Sequence, residues 1–168
     1  YTLSPHDALP ISIAFSVPTG NFGDVFAGYV AAQCGLPVER LIVATNVNDI
    51  LHRALTSGDY SAGSVTPTAT PSMDIQVSSN FERLLFDLSG RDGAALAKMM
   101  AGFETSKAMS IPADMLAAAR PLLSSARIDP NDMALAMRRA SEKSGELIDP
   151  HTAIGLSAAY GSNLPAEI

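Results

Sequence analysis

Ser16-Val17-Pro18-Thr19-Gly20-Asn21-Phe22-Gly23-Asp24-Val25-Phe26-Ala27-Gly28 reads as the end of a strand, a small turn and the start of a helix. The β-branched and aromatic run over 13–17 stops at Pro18, which has no N–H to offer a ladder. Beyond the Gly-Asn-Phe-Gly turn, apolar residues recur at Val25, Phe26, Tyr29 and Val30, the spacing of one helix face.

Such a joint favours an anion. The first N–H groups of a helix have no intrahelical acceptor, and the helix dipole adds partial positive charge there, so a phosphate is held without a lysine. Gly20 and Gly23 carry no Cβ, which lets backbone approach an oxyanion closely. Nucleotide motifs fit poorly. Gly23 to Gly28 has the glycine spacing of a Walker A loop, but Tyr29 stands where the lysine belongs. A dinucleotide fingerprint needs Gly-x-Gly-x-x-Gly, and here the order is Gly20-x-x-Gly23. Spacing alone leaves a phosphate loop and an ordinary strand-to-helix turn both open.

Working outward, a helix is expected over 24–34, closed by Gly35 with Pro37 beyond. Leu-Ile-Val-Ala-Thr at 41–45 has the composition of a buried parallel strand. The order β-α-β implies a right-handed crossover and a ligand at the carboxyl end of the first strand. Asn48 or Asp49 is expected to cap the next helix, which runs to about residue 55 and ends at Ser57-Gly58. Residues 58–73 are rich in Ser, Thr, Gly and Pro and read as a long loop, either a lid or binding segment or a passive connection. Ser78 or Ser79 is expected to cap a helix that buries Phe81, Leu84, Leu85 and Leu88. Helical patterns follow over 92–103 and 112–122. Asp129-Pro130 and Asp149-Pro150 each put a capping carboxylate before a proline at the first helical position. The first of these helices is expected to turn Met133, Ala136 and Met137 inward, and the second Ala153, Ile154, Leu156 and Ala159. Short β-like runs at 126–128 and 147–148 are candidate strands.

With 168 residues, of which 47% are apolar, the chain is long enough for one domain with a core. A net charge of −6, with Arg138-Arg139 the one adjacent basic pair, argues against a nucleic-acid surface. Cys34 is the single cysteine, which excludes disulfides within the chain, and it is expected to be a small buried hydrophobe. No stretch has the length and apolarity of a membrane span and no charged leader precedes a signal core, so a soluble, cytoplasmic protein is expected. His6, His52 and His151 assemble no metal site and no Ser-His-Asp constellation. Residues 1–12 show no period, and Leu3 to Ile11 resembles a translated sequencing adapter. This segment is expected to be foreign.

Asp149-Pro150-His151-Thr152-Ala153-Ile154-Gly155 is the second informative stretch. Thr152 falls in the first helical turn, where a hydroxyl either helps the cap or faces a pocket. His151 is expected to have a local or exposed role.

Four segments in the same order resemble threonine synthase: 16–24, 41–51, 72–86 (Ser-Met-Asp-Ile-Gln-Val-Ser-Ser-Asn-Phe-Glu-Arg-Leu-Leu-Phe) and 149–155. The resemblance implies an α/β fold with a parallel-sheet core flanked by helices, the tryptophan synthase β-like pyridoxal-phosphate fold of type II, here incomplete. It implies pyridoxal 5'-phosphate as cofactor and conversion of O-phosphohomoserine and water to L-threonine and phosphate. By the same resemblance Gly20, Asn21, Phe22, Gly23 and Asp24 match the cofactor phosphate loop, and Thr152 matches the hydroxyl that meets the pyridine nitrogen. A neutral hydroxyl there would tune the ring as an electron sink. The family's cofactor-binding lysine lies upstream of the phosphate loop, and Lys98, Lys107 and Lys143 do not match its motif. Residues 13–168 are therefore expected to be a carboxyl-terminal part of the catalytic domain, inactive alone, with no catalytic residue of its own. The alternatives are another lyase or β-replacing enzyme of the same cofactor fold, and a non-catalytic domain that binds a phosphate metabolite. Recovery of the upstream sequence separates them.

Overall fold

The computed structural model describes residues 13–164, so the segment 1–12 expected to be foreign lies outside the described residues. Strand β1 (Ile13–Pro18) leads through the Gly-Asn-Phe-Gly turn into α1 (Gly23–Gln33), and the chain returns as β2 (Val38–Thr45) and α2 (Ile50–Ser57). Short strands β3 (Asp59–Ser61) and β4 (Ala108–Ser110) bracket α3 (Phe81–Leu88) and α4 (Gly93–Ser106). Then come α5 (Ala113–Ala119), β5 (Leu123–Arg127), α6 (Pro130–Ser144) and α7 (Pro150–Tyr160).

The main sheet is parallel with order β1-β2-β5, so β2 is central, as its unbroken apolar run requires. Its side chains go alternately to two cores. Leu41 and Val43 pack with Val25, Tyr29 and Leu51 on one face, and Ile42 and Ala44 with Ile154 and Ala158 on the other. All four strand residues are at most 5% exposed. Full burial of each of the three larger ones stabilises the fold by about 2 kcal/mol. This is the expected α/β architecture, a parallel sheet with helices on both faces.

Two close approaches fix the helices that flank β1 and β2. A Cβ on Gly28 of α1 would stand 2.9 Å from Leu41 Cδ2, and one on Gly155 of α7 would stand 2.9 Å from Pro18 Cδ. The Ser16 hydroxyl donates to the carbonyl of Gly155 at 2.6 Å, tying α7 to β1. The start of α7 is thereby held beside the carboxyl end of β1.

Several expectations are corrected. Residues 58–73 are not all loop, because β3 pairs antiparallel with β4 and residues Pro71–Met73 form a 3-10 turn. The strand expected at 126–128 is β5, three residues earlier at its start. Residues 147–148 form no strand, because the chain turns directly from α6 into α7 and Leu147 is 86% exposed. The helix expected over 112–122 is shorter, since its last residues lead into β5. Neither Ser78 nor Ser79 caps α3. Its N-cap is Asn80, whose side chain turns back toward Asn21. Cys34 is exposed, not buried, because it lies one turn beyond Val30 on a side of α1 that faces outward. Both Asp-Pro pairs behave as expected. Asp129 and Asp149 accept from the first free amides of α6 and α7, with proline at the start of each helix.

Candidate functional site

The turn after β1 is shaped by its own side chains. Thr19 N–H donates to the Ala44 carbonyl at 3.0 Å, which carries the sheet one residue past Pro18. Phe22 then takes a left-handed conformation with φ 66. A non-glycine residue there costs about 1–3 kcal/mol and persists only when its surroundings over-determine it. Here they do. The Phe22 ring is fully buried and meets Phe81 edge-on with centroids 5.2 Å apart. Next to Phe81, Asn80 donates to the Asn21 carbonyl twice, from its main-chain N–H at 3.0 Å and from Nδ2 at 3.1 Å. The N-cap and first residue of α3 thus clamp two consecutive residues of the turn, and the Asn21 carbonyl is drawn toward α3.

Neither Gly20 nor Gly23 has a positive φ. Gly20 is needed because a Cβ would lie 3.0 Å from Ile75 Cδ1 and 3.1 Å from Met73 Cα.

The amides of the turn divide into two groups. Phe22 N–H donates to Thr19 Oγ1 and Gly23 N–H to Asn21 Oδ1, both at 3.0 Å. Those of Gly20, Asn21, Asp24 and Val25 donate to no acceptor among the described residues. Asp24 can serve an anion only through its N–H, since its carboxylate would repel one.

Gly20, Asn21 and Asp24 line a cleft of about 200 Å3 whose other walls are Pro18, Thr19, Ser72, Met73 and His151. Phe22 and Gly23 are not on its wall. Ser72 and Met73 are held by a polar network that fastens the long segment after β3. Asn46 Nδ2 donates to Thr68 Oγ1, Thr70 Oγ1 and Asp74 Oδ1 at 3.1, 2.8 and 2.8 Å. Asn48 Nδ2 reaches Asp74 Oδ1 and the Thr66 carbonyl at 2.9 Å, while the Thr68 N–H and hydroxyl donate to Asp74 at 2.7 Å. Burial opposes the charge on Asp74, but these hydrogen bonds outweigh it and hold the carboxyl below its ordinary range. The segment is a fixed wall of the cleft.

Thr152 does both things a first-turn hydroxyl can do. It lines a groove of about 760 Å3 that shares Pro18 with the loop cleft, and it donates to Asp149 Oδ2 at 2.5 Å. Hydrogen bonds from the Thr152 hydroxyl and N–H and from His151 push Asp149 down to about 2. His151 Nδ1 stands 3.3 Å from Asp149 Oδ1, and its Nε2 is buried without a partner among the described residues. Lys143, set aside by motif, lies on the wall of the Thr152 groove.

Thr19, Ser72, Met73 and Asn80 are the contributors that sequence reading did not single out as site residues. All but Thr19 fall inside the segment 72–86 that carried the resemblance. Thr19 lies inside the opening stretch. Among the described residues no helix is long and apolar enough to cross a membrane, and no cluster of His, Cys, Asp or Glu could hold a metal.

No family model matches the chain. Curated relatives and solved structures do. Threonine synthase from Pseudomonas aeruginosa is 52% identical over 148 residues, 88% of this chain and 32% of that protein. Threonine synthase from Corynebacterium glutamicum is 42% identical over 153 residues, again 88% of this chain and 32% of that protein. The crystal structure of pyridoxal-phosphate-bound threonine synthase from Brucella melitensis superposes with a TM-score of 0.87 at 49% identity, covering 92% of this chain and 33% of that one. The fold, with its glycine turn at the carboxyl end of a parallel strand, is therefore that of the type II pyridoxal-phosphate enzymes. Within that class the chain is a homologue of the threonine synthases, and it spans about a third of the length of the relatives it matches.

Proposed function

We propose that this chain forms part of the cofactor site of a threonine synthase, which converts O-phosphohomoserine and water to L-threonine and phosphate with pyridoxal 5'-phosphate. The observation that carries the reading is the set of three main-chain N–H groups, at 20, 21 and 24, that find no acceptor among the described residues and belong to residues on the wall of a polar cleft. The residues fit a phosphate ester, because unpaired main-chain donors at the start of a helix suit an anion without need of a lysine.

Gly20, Asn21 and Asp24 would hold the ester through main-chain N–H groups. Phe22 and Gly23 set the turn, with their own amides tied to Thr19 and Asn21. Thr152 would meet the ring nitrogen. Its hydroxyl hydrogen is committed to Asp149, so donation to an unprotonated nitrogen requires release from that cap. When bound, the pyridoxal ring supplies the electron sink for bond changes next to the substrate's amino group. We place residues 13–168 in the carboxyl-terminal part of the catalytic domain of a cytoplasmic enzyme, and we read 1–12 as foreign.

Calorimetric titration of the 168-residue chain with pyridoxal 5'-phosphate tests the cofactor reading. Saturable binding at one site, displaced by inorganic phosphate, is expected. No binding, or binding indifferent to phosphate, overturns it. Release of phosphate from O-phosphohomoserine by the full-length protein carrying this segment tests the reaction. A full-length protein that loads the cofactor yet leaves that substrate intact points to another enzyme of the same fold.

A further inference from the structure

We propose that the hydroxyl of Thr19 is a direct ligand of the phosphate monoester held in the cleft, donating a hydrogen bond to one of its oxygens; this rests on the cofactor reading above. Thr19 is 6% exposed and lies on the cleft wall with Gly20, Asn21 and Asp24. Its oxygen accepts from Phe22 N–H at 3.0 Å, which uses one lone pair. A hydroxyl also carries a hydrogen, and among the described residues the Thr19 hydrogen has no acceptor. Buried donors without acceptors cost about 1–3 kcal/mol, so they are seldom left idle.

The surroundings limit what that hydrogen can reach. Thr19 N–H is fixed on the Ala44 carbonyl. The Asn21 carbonyl, a nearby acceptor on the same turn, already takes two hydrogen bonds from Asn80. Thr19 lines the cleft, so an oxyanion held there would give that hydrogen an acceptor. Because the hydroxyl oxygen meanwhile receives the Phe22 N–H, that bond polarises the O–H and strengthens its donation. Thr19 would thus join the left-handed turn to the bound ester through one atom, and side-chain donation would add to the main-chain set at 20, 21 and 24.

The test uses the full chain and pyridoxal 5'-phosphate. Thr19→Val keeps the shape and removes the hydroxyl, whereas Thr19→Ser retains it. Thr19→Val is expected to weaken binding about tenfold or more, with Thr19→Ser within about threefold of wild type, in keeping with loss of a hydrogen bond to a charged group. Equal binding by wild type and Thr19→Val overturns the proposal, as does Thr19→Ser binding as weakly as Thr19→Val. In the wild-type chain loaded with the cofactor, a through-bond NMR correlation is expected between the Thr19 hydroxyl proton and the phosphorus nucleus. This measurement stands even if Thr19→Val fails to fold, and a loaded chain without the correlation overturns the proposal. A wild-type chain that binds no pyridoxal 5'-phosphate removes the cofactor reading itself, an outcome distinct from intact binding that ignores Thr19.

Discussion

Gly155 and Pro18 are in such close contact that a methyl group at Gly155 would stand 2.9 Å from Pro18 Cδ. The obstacle is a rigid ring on the edge strand, and the Ser16 carbonyl oxygen would lie 3.4 Å from the same added carbon. Gly155→Ala must therefore push α7 off β1. A loss of about 1–3 kcal/mol in urea unfolding is expected, the usual range for overpacking a filled site. The displaced helix also carries Thr152, so the Asp149–Thr152 cap should move relative to the Gly20 turn in a crystal structure of the variant.

Phe22 sets two effects against each other. Phe22→Gly relieves a left-handed conformation worth about 1–3 kcal/mol. It also deletes a fully buried ring, a loss of roughly 3–5 kcal/mol when phenylalanine is truncated in a core. The ring wins. A net destabilisation of about 2 kcal/mol is expected in chemical unfolding, and a variant as stable as wild type would show that Phe81 does not hold the turn through that ring.

Asp74 is the acceptor on which the wall of the cleft converges. Asp74→Asn puts an amide where Asn46, Asn48 and Thr68 all donate, leaving at least one buried donor unpaired. About 2 kcal/mol of stability should be lost. The folded carboxyl is held below its ordinary value, so the native residue's contribution is present above the unfolded carboxylate range and fades as pH falls through the lower folded value. Unfolding of wild type and variant as a function of pH should therefore converge in acid.

The depression of Asp149 to about 2 has the Thr152 hydroxyl as its largest cause. Thr152→Val keeps the volume and removes that donor, so the carboxyl should titrate closer to its ordinary 3.8 when followed by carbon NMR. For the native pair the sign is that of a lowered acid. Its stabilisation is in place above about 4 and is lost toward pH 2, and the variant should lack part of that acid-sensitive contribution. An unmoved titration would mean that the main-chain amides of α7 hold the charge unaided.

Local chemistry made much of this legible. The apolar run of β2 announces a strand buried on both faces, because only a central parallel strand can hide Leu41, Ile42, Val43 and Ala44 together. The two Asp-Pro pairs announce helix starts, since carboxylate and ring suit unbonded amides. The stretch from Ser16 to Gly28 announces a strand, a turn and a helix by its change of period. The short β3–β4 pairing was not legible, since each strand is three residues long and its partner is remote in sequence.

By itself, then, the sequence determined the helices, the strands of the parallel sheet and the place of the turn, because capping, proline geometry and hydrophobic period act between near neighbours. The tertiary structure alone decided which amides of that turn find no acceptor among the described residues, that a phenylalanine bears the left-handed bend, and that the Thr19 hydrogen meets no acceptor among those residues. Those outcomes depend on Asn80, Phe81, Met73 and Pro18, which meet the turn or the start of α7 only when the sheet and its helices close. Hydrogen-bond commitments and excluded volume are properties of that closure, and no local pattern encodes them.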